Sequence, residues 1–249
     1  MKRFWLVGKI LFSHRLLSAR TNSFNTSVSR FYTSFFITAI FCSATLHAQD
    51  EKTLAQQQYL KVITERSAKI VNTLGITDPP RYAEVLNELV NQYASLNTIH
   101  EENKTVVNGI RQSDHSKEEK EAAVKQQEEK KLAWLLQQHN LFIAHLKERL
   151  SNDQLEKIKD GMTYSVMPKT YAAYQDMLLN LTAEQKNQIY AWLKEARELA
   201  MDAESSEKKH AIFGKYKGRI NNYLSMAGYD MKKESEAWQQ RIKEKKANP

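Results

Sequence analysis

The chain has 249 residues, with 37 Lys or Arg and 29 Asp or Glu, which gives a formal net charge of +8. Six of those basic residues and no acidic residue lie within residues 1–48, so residues 49–249 carry a net charge of only +2. The basic character therefore belongs to the N-terminal segment and is no argument for nucleic-acid binding. The only cysteine, Cys42, lies there too, which excludes disulfides, a thiol nucleophile and a Cys-ligated metal from residues 49–249.

The first predicted element is a secretory signal peptide over residues 1–48. A basic leader without acidic residues precedes the short apolar core Phe35–Cys42, and Ala48 supplies a small residue at the expected cleavage point. We therefore expect export to the periplasm or outer envelope, with cleavage after Ala48 and no stable membrane span afterwards.

Three other interpretations of this segment stay open. Its Arg- and Ser-rich first 30 residues are also typical of a mitochondrial transit peptide, and a true start site further downstream would equally explain so long a leader. A membrane anchor is the third, although Thr and Ser dilute the run below the ~20 apolar residues of a spanning helix. Lipoprotein processing is disfavoured because Phe41, not a small residue, precedes Cys42.

Residues 49–249 predict a single helical domain. They contain only six glycines and four prolines, nearly all where a helix would begin or end, and almost no β-branched alternation. The fold class is therefore all-α, an irregular multi-helix bundle of seven to eight helices.

The first two helices are predicted from their caps and apolar spacing. One covers residues 52–73 and ends at Gly75, and the next begins with Asp78 as N-cap and Pro79 as first residue. The second helix weakens around Asn108-Gly109. The apolar side of the first helix consists of Leu60, Ile63, Ile70, Val71 and Leu74.

Ser116 and Glu119 predict a capping box that begins a long third helix. Because residues 117–131 are mostly Lys, Glu, Gln and Ala, we expect the region 100–131 to be solvated and to protrude. The second half of this helix should be buried through Leu132, Leu135, Leu136, Phe142, Ile143 and Leu146.

Five more helices follow, separated by capping residues and glycines. A short helix ends at Gly161, an irregular stretch covers Met162–Met167, and the next helix begins at Pro168. The predicted N-caps are Ser151, Thr182, Ser205 or Ser206, and Asp230, and the inward residues of the helix after Thr182 are Ile189, Trp192, Leu193, Ala196 and Leu199.

The histidines predict neither a metal site nor a cofactor. His139 and His145 are six residues apart, whereas a helical chelate needs a spacing of three or four. His100-Glu101-Glu102-Asn103-Lys104 begins like a zincin motif but has a lysine in place of the second histidine. Solvated or core-edge histidines are the interpretation we adopt.

Two short motifs, Leu150–Gln154 and Leu181–Gln185, fit the pattern Leu-Ser/Thr-x-x-Gln. The pair resembles that of the periplasmic Spy/CpxP helical chaperones, which would imply a cofactor-free protein holding unfolded clients. The same residues also form ordinary capping boxes, and we favour that interpretation.

The densest candidate site lies within Lys208–Tyr223. On a helical wheel, apolar residues form a core stripe, and basic and amide side chains line one flank beside it. The candidate ligand-binding residues are Lys215, Arg219 and Asn222, with Tyr216 and Tyr223 beside them. A solvated basic flank without function is the alternative.

Two glycines inside the same helix, Gly214 and Gly218, cost ~1 kcal/mol each relative to alanine. Either a neighbouring helix approaches closely or a ligand touches the backbone there. Close packing is the more common reason and is the first interpretation; a ligand at the backbone stays open as the second.

Four runs are together similar to an exported family of unknown function that is common in Bacteroidetes-type bacteria. They are MTYSVMP at 162–168, YQDML at 174–178, FGKYKGRINNYL at 213–224 and AGYD at 227–230. The resemblance implies a helical envelope protein with no assigned catalytic residues, often encoded among genes for polysaccharide use.

The predicted function is a non-catalytic envelope binding module for an acidic glycan or a protein client. A carbohydrate-active, lyase-like enzyme using Tyr, Lys and Arg is the first alternative, and a Spy-like chaperone is the second. A lyase needs a base and a cation converging in one cleft, whereas a binder needs only an exposed aromatic-basic face.

Overall fold

The computed structural model describes residues 54–247, so the predicted signal peptide and its cleavage site lie outside the described residues. Within that range every regular element is helical and no strand occurs, which confirms the all-α class and the predicted number of helices. The helices are α1 (54–71, continued by a 3₁₀ turn, Asn72–Leu74), α2 (Pro79–Gln112), α3 (Lys117–Lys147), α4 (Asn152–Met162), α5 (Val166–Met177), α6 (Ala183–Met201), α7 (Ser206–Met226) and α8 (Met231–Ala247).

The predicted N-cap residues are confirmed by their hydrogen bonds. At α3, α4 and α6 the N-cap hydroxyl accepts from the third residue's main-chain N–H, while the third side chain accepts from the N-cap N–H. Asp78 caps α2 by accepting from the Arg81 N–H, and Ser205 caps α7 by accepting from the Lys208 N–H. These bonds satisfy main-chain donors that the first turn leaves free.

Two apolar cores hold the bundle together. The first lies among α1, α2, α3 and α4, around Val85, Leu89, Phe142 and Ile158. The second lies among α5, α6 and α7, around Ile189, Leu193, Phe213, Ile220 and Leu224. Their helices meet where α4 packs on α5 and α6.

The second half of α2 pairs with the first half of α3. Of residues 100–131 only Asn103 and Val107 are buried. The Asn103 side-chain amide donates to Glu128 Oε1 at 2.9 Å and so links the two helices inside an otherwise solvated pair.

The predicted interruptions are reproduced only in part. Helix α2 continues through Gly109, where the sequence predicts weakening, and α4 ends at Met162, one residue after the predicted end at Gly161. An added Cβ at Gly161 would sit 2.8 Å from Ile70 Cγ2, so this glycine also permits close approach of α1 and α4. The irregular stretch is shorter than predicted, because α5 begins at Val166; Tyr164 and Ser165 occupy the left-handed region with φ of 58° and 54°.

Some predicted inward positions were also wrong. The predicted core leucines that are exposed are Leu60, Leu132, Leu136 and Leu199. A charged residue that was not predicted to be inward, Arg197 of α6, is only 1% exposed. Carboxylates of α4 pair with it inside the bundle. Among residues 54–247, no helix combines the length and the apolarity needed to cross a bilayer.

Candidate functional site

The residues predicted from the α7 flank gather only in part. The Arg219 guanidinium carbon lies 4.4 Å from the Trp192 ring centroid, and Tyr223 meets that ring edge-on at 5.3 Å. Arg219 also lies 3.8 Å from Glu195, and its side chain is 55% exposed. Burial and a hydrogen bond to Glu195 raise the pKa of Tyr216 to about 12.

The other two predicted residues, Lys215 and Asn222, are exposed. The flank is therefore an open aromatic-cationic face built around Trp192. The face of that indole nearest α7 is already covered by the Arg219 guanidinium, a cation–π arrangement.

Neither glycine of α7 has a packing role. A Cβ built at Gly214 or Gly218 would meet no atom within 4 Å among the described residues. The prediction that they permit close helix packing was wrong, and the backbone is open to solvent at both positions.

A more enclosed site lies where α1 and α2 meet the start of α7, and we call it the α1–α7 cleft. It has a volume of about 370 Å³. The lining residues that bear on its chemistry are Tyr59, Arg66, Tyr93, His100, Lys104 and Lys209. It is thus a basic and aromatic site whose residues lie up to 150 positions apart in the chain. No local sequence pattern could predict that they meet.

Lys209 is the buried cation of the cleft. Its residue is only 5% exposed, and its Nζ donates to the main-chain oxygen of Met201 at 3.0 Å. Because burial disfavours the charged form, the pKa of Lys209 falls to about 8. An ammonium group has three donors, so two remain for a ligand.

Tyrosines form one wall of the cleft. The Arg66 guanidinium carbon lies 5.6 Å from the centroid of the Tyr93 ring, and the Tyr59 hydroxyl donates to the Tyr93 main-chain oxygen at 3.0 Å. Burial raises the pKa of Tyr93 to about 12, so its hydroxyl stays protonated at neutral pH.

The acidic residues of the cleft already have basic neighbours. Glu101 lies 3.6 Å from the Lys104 ammonium, and Glu204 lies 3.8 Å from the His100 ring. Among the described residues, Arg66 and Lys209 have no carboxylate within ion-pair distance, and the positive end of the α7 dipole lies at the Ser205 rim. The local charge balance therefore favours an anionic ligand.

A network of ion pairs lies behind the cleft and joins α3, α4 and α6. Arg197 pairs with Glu156 and, at 2.7 Å, with Asp160 of α4. Glu198 accepts from the Lys159 ammonium at 2.8 Å and lies 3.4 Å from the His139 ring. The network fixes α6, whose last residues carry the main-chain oxygens that the cleft residues bind.

His139 carries the largest histidine shift among the described residues. Its Nδ1 donates to Asp202 Oδ2 at 2.8 Å, and this bond together with Glu198 raises its pKa to about 9. Burial alone would raise the pKa of Glu198, but hydrogen bonds from His139 and Lys159 lower it to about 2. The group is therefore a charged structural unit at neutral pH.

The other histidines fit the structural interpretation. His145 lies on a different side of α3 from His139 and binds Glu88 at 2.9 Å, while His100 Nε2 donates to the Asp202 main-chain oxygen at 2.8 Å. In the described part of the chain, no set of three or more His, Cys, Asp or Glu side chains is placed to hold a metal ion.

The two Leu-Ser/Thr-x-x-Gln motifs form capping boxes. Their glutamines also tie helices together: the Gln154 side-chain amide donates to the Leu74 main-chain oxygen at 2.9 Å, and Gln185 accepts from the Tyr229 hydroxyl at 3.0 Å. Both motifs are thus explained by local structure.

One sequence signal pointed toward the cleft. Lys209 precedes Phe213, Tyr216 and Ile220 at spacings of four, seven and eleven, so it lies on the core stripe of α7. A lysine on an apolar stripe must be buried or paired, and the structure shows Lys209 buried, with its ammonium bonded to a main-chain oxygen rather than to a carboxylate. Arg66 and Tyr59 gave no comparable signal, because only the packing of α1 on α2 brings them to Tyr93.

Comparison with known proteins places the chain in a family but gives it no activity. No curated protein matches it. A family model described as "Protein of unknown function (DUF3826)" matches residues 60–244, which is most of the chain and includes all four runs that carried the sequence resemblance. The chain therefore belongs to the DUF3826 family of proteins of unknown function.

Proposed function

We propose that the protein is an exported, non-catalytic binding module that holds a carboxylated or sulfated ligand, such as an acidic glycan, in the α1–α7 cleft. The observation that carries the proposal is the convergence of Arg66 and the buried Lys209 on a cleft walled by Tyr59 and Tyr93. Lys209 is buried with no carboxylate of the described residues within ion-pair distance, and the charge of Asp202 offsets its burial only in part, so an anionic ligand would supply a direct partner.

The side chains suit the proposed ligand in different ways. Arg66 is exposed and can bind a carboxylate through two parallel hydrogen bonds, while Lys209 acts as a point charge from the floor. The half-buried Tyr59 ring offers flat apolar surface to a sugar ring, whereas the Tyr93 ring is only 7% exposed and lies beneath Arg66. Cleft sites with mostly apolar walls and a few placed polar groups are typical ligand sites.

Export and the glycan ligand are proposed on separate grounds. The leader over residues 1–48 supports export. The family resemblance supports a link to polysaccharide use, through the genes that accompany its members. The basic side chains of the α1–α7 cleft support an acidic ligand over a neutral one.

The experiment is a calorimetric titration of the purified protein with a uronate oligosaccharide and with a neutral oligosaccharide of equal length. We expect saturable binding of the uronate only, weakened by added salt. Arg66→Gln should lower the affinity at least about tenfold, the scale of one charge-assisted hydrogen bond. The control Arg111→Gln, at an exposed position near the end of α2, should not change it. Equal binding of both sugars would contradict the proposal.

A lyase-like activity is the second candidate, favoured by one feature. Lys209, with a pKa of about 8, lies in the same cleft as Arg66 and Tyr93, so a base, a cation and an acid converge. Neutral Lys209 would take the proton from the carbon next to the substrate carboxylate, Arg66 would neutralise that carboxylate, and Tyr93 would protonate the leaving oxygen. The carbon–oxygen bond would break as a carbon–carbon double bond forms. Release of unsaturated uronate that stops in Tyr93→Phe would support this candidate.

Two further possibilities, a ligand site on the α7 flank and a chaperone function, have less support than the α1–α7 cleft. The α7 flank could bind the same ligand class through Arg219, Lys215 and Asn222, but Arg219 already lies on Trp192 and near Glu195. The chaperone alternative has no separate support, because capping explains both motifs that suggested it.

A further inference from the structure

A second groove lies between α5, α7 and α8, and we call it the α5–α8 groove. It has a volume of about 450 Å³. Its apolar surface comes from Tyr174, Met177, Met231 and Trp238, and the charged residues that line it are two lysines, with no carboxylate among the lining residues. The lysines are Lys169 and Lys217.

The polar edges of the two rings are fixed by hydrogen bonds. Trp238 Nε1–H donates to Asp176 Oδ2 at 2.6 Å, and the Tyr174 hydroxyl donates to Asn221 Oδ1 at 2.7 Å. Both rings are therefore held in place before a ligand arrives. The Asn221 amide uses its oxygen in this bond and keeps its N–H groups as donors.

The glycines of α7 lie on the same helix face as two residues of this groove. Gly214, Lys217, Gly218 and Asn221 follow the spacing of one helix face, and Lys217 and Asn221 line the groove. No packing neighbour explains either glycine. Because glycine has no side chain, the α7 backbone is accessible at these two positions, beside two groove residues. A ligand could therefore lie directly against the α7 backbone.

An unusual backbone adjoins the other end of the groove. Tyr164 and Ser165 have positive φ values, and the Tyr164 main-chain oxygen accepts from the Lys169 Nζ at 3.4 Å. Left-handed non-glycine residues are uncommon and concentrate at functional sites. Here the turn sets the start of α5 and so the position of Lys169.

Helix α8 covers the groove without burying any of its own residues. Arg241 Nη2 donates to the main-chain oxygens of Asp176 and Met177 at 2.9 and 3.0 Å, which caps the end of α5. With the Trp238 bond, these contacts hold the helix at one edge. A ligand beneath α8 would add apolar contacts that the helix lacks.

We propose that the α5–α8 groove binds a small carboxylate with a flat or apolar body. The body packs on Trp238 and Met177, and the carboxylate accepts from Lys217 and Asn221, with Lys169 at the opposite edge. Charge complementarity commits the occupant to an anion, since two lysines line the groove and the neighbouring Asp176 carboxylate is already bonded to Trp238 Nε1 at 2.6 Å and lies 4.0 Å from Lys245. The inference does not rest on the α1–α7 cleft.

The test is a titration of the purified protein, followed by calorimetry, with free hexuronate and with a medium-chain fatty acid. Glucose and the matching fatty alcohol are the neutral controls. We expect one of the two carboxylates to bind saturably and its neutral control to bind at least about tenfold more weakly, as loss of one charge-assisted contact implies. Which carboxylate binds distinguishes a sugar ligand from an acyl ligand.

Matched variants locate the binding. Lys217→Met should weaken it at least about tenfold, whereas Lys125→Met, at an exposed position of α3 outside both sites, should leave it unchanged. Gly218→Ala should weaken it while raising the melting temperature. Arg66→Gln should weaken only uronate binding in the α1–α7 cleft and should leave the binding that depends on Lys217 in place, so failure at one site is distinguishable from failure at the other. Binding of neither carboxylate, or equal affinities in Lys217→Met and Lys125→Met, would overturn the proposal.

Discussion

Lys209 donates a hydrogen bond from its Nζ to the main-chain oxygen of Met201, 3.0 Å away, and so joins the second turn of α7 to the last residue of α6. Both residues are buried. The bond satisfies a carbonyl that the end of α6 leaves free, and it fixes a cation on the floor of the α1–α7 cleft. The Lys209 side chain thus both joins α6 to α7 and supplies the charge proposed to bind the ligand.

His139 should make folding stability depend on pH. Its pKa is about 9 in the folded protein against an ordinary 6.5, so its contribution is full below 6.5 and is lost as pH rises through about 9. The contribution is at most about 3 kcal/mol. In urea unfolding, His139→Gln should be less stable than the natural protein at pH 6 and nearly equal at pH 9.5.

The control is His145→Gln, because the His145 side chain is half-exposed and pairs only with Glu88. Its stability loss should be small at both pH values. If His139→Gln were equally destabilised at pH 6 and pH 9.5, the ion pairs with Asp202 and Glu198 would not be the cause.

The caps and the fold class could be predicted from sequence because both depend on local spacing. Ser116, Ser151 and Thr182 bond within their own first turns, so four residues suffice to predict each start. The helix end near Gly161 could be predicted, but its close contact with Ile70 could not, because Ile70 is ninety-one positions away. A glycine that permits close approach and one that ends a helix look alike in sequence.

The candidate sites were less predictable than the caps, because they depend on contacts between residues that are distant in the chain. Arg219 and Tyr223 share a helix, so their proximity followed from spacing, and they do meet at Trp192. The α1–α7 cleft needs Arg66, Tyr93 and Lys209 from three helices. Their contact depends on how α1, α2 and α7 pack, which no local pattern specifies.

Alanine at two glycines should have opposite effects. At Gly161 the new methyl would lie 2.8 Å from Ile70 Cγ2, and overpacking of about 1–3 kcal/mol should exceed the gain in helix propensity. At Gly218 nothing lies within 4 Å, so alanine should stabilise by about 1 kcal/mol. Thermal unfolding of both variants is the measurement, and a destabilised Gly218→Ala would show that we have misjudged its surroundings.

Arg219→Ala tests the α7 flank as the ligand surface. We expect uronate affinity to change less than about twofold, because Arg219 contacts Trp192 and Glu195 rather than the cleft. Loss of the cation–π contact should lower stability by only about 0.5–1 kcal/mol. A tenfold loss of affinity would instead place the ligand on the flank with Lys215 and Asn222.

The proposed export can be tested at the N-terminus of the mature protein. Cleavage after Ala48 would leave Gln49 first, with or without cyclisation to pyroglutamate. Intact-mass spectrometry of protein recovered from the envelope fraction measures this directly. Recovery of a form that still contains Cys42 would contradict cleavage at this position.

The most direct test of the α1–α7 cleft is the affinity for a uronate oligosaccharide as a function of pH, measured by calorimetry on the natural protein, Lys209→Met and Lys215→Met. Circular dichroism would establish that all three are folded. We predict that affinity of the natural protein and of Lys215→Met falls as pH rises through about 8, where Lys209 loses its charge. Lys209→Met should bind at least about tenfold more weakly at pH 7 and show no such fall. Unchanged affinity in Lys209→Met, or a natural protein whose affinity stays constant up to pH 10, would contradict the account.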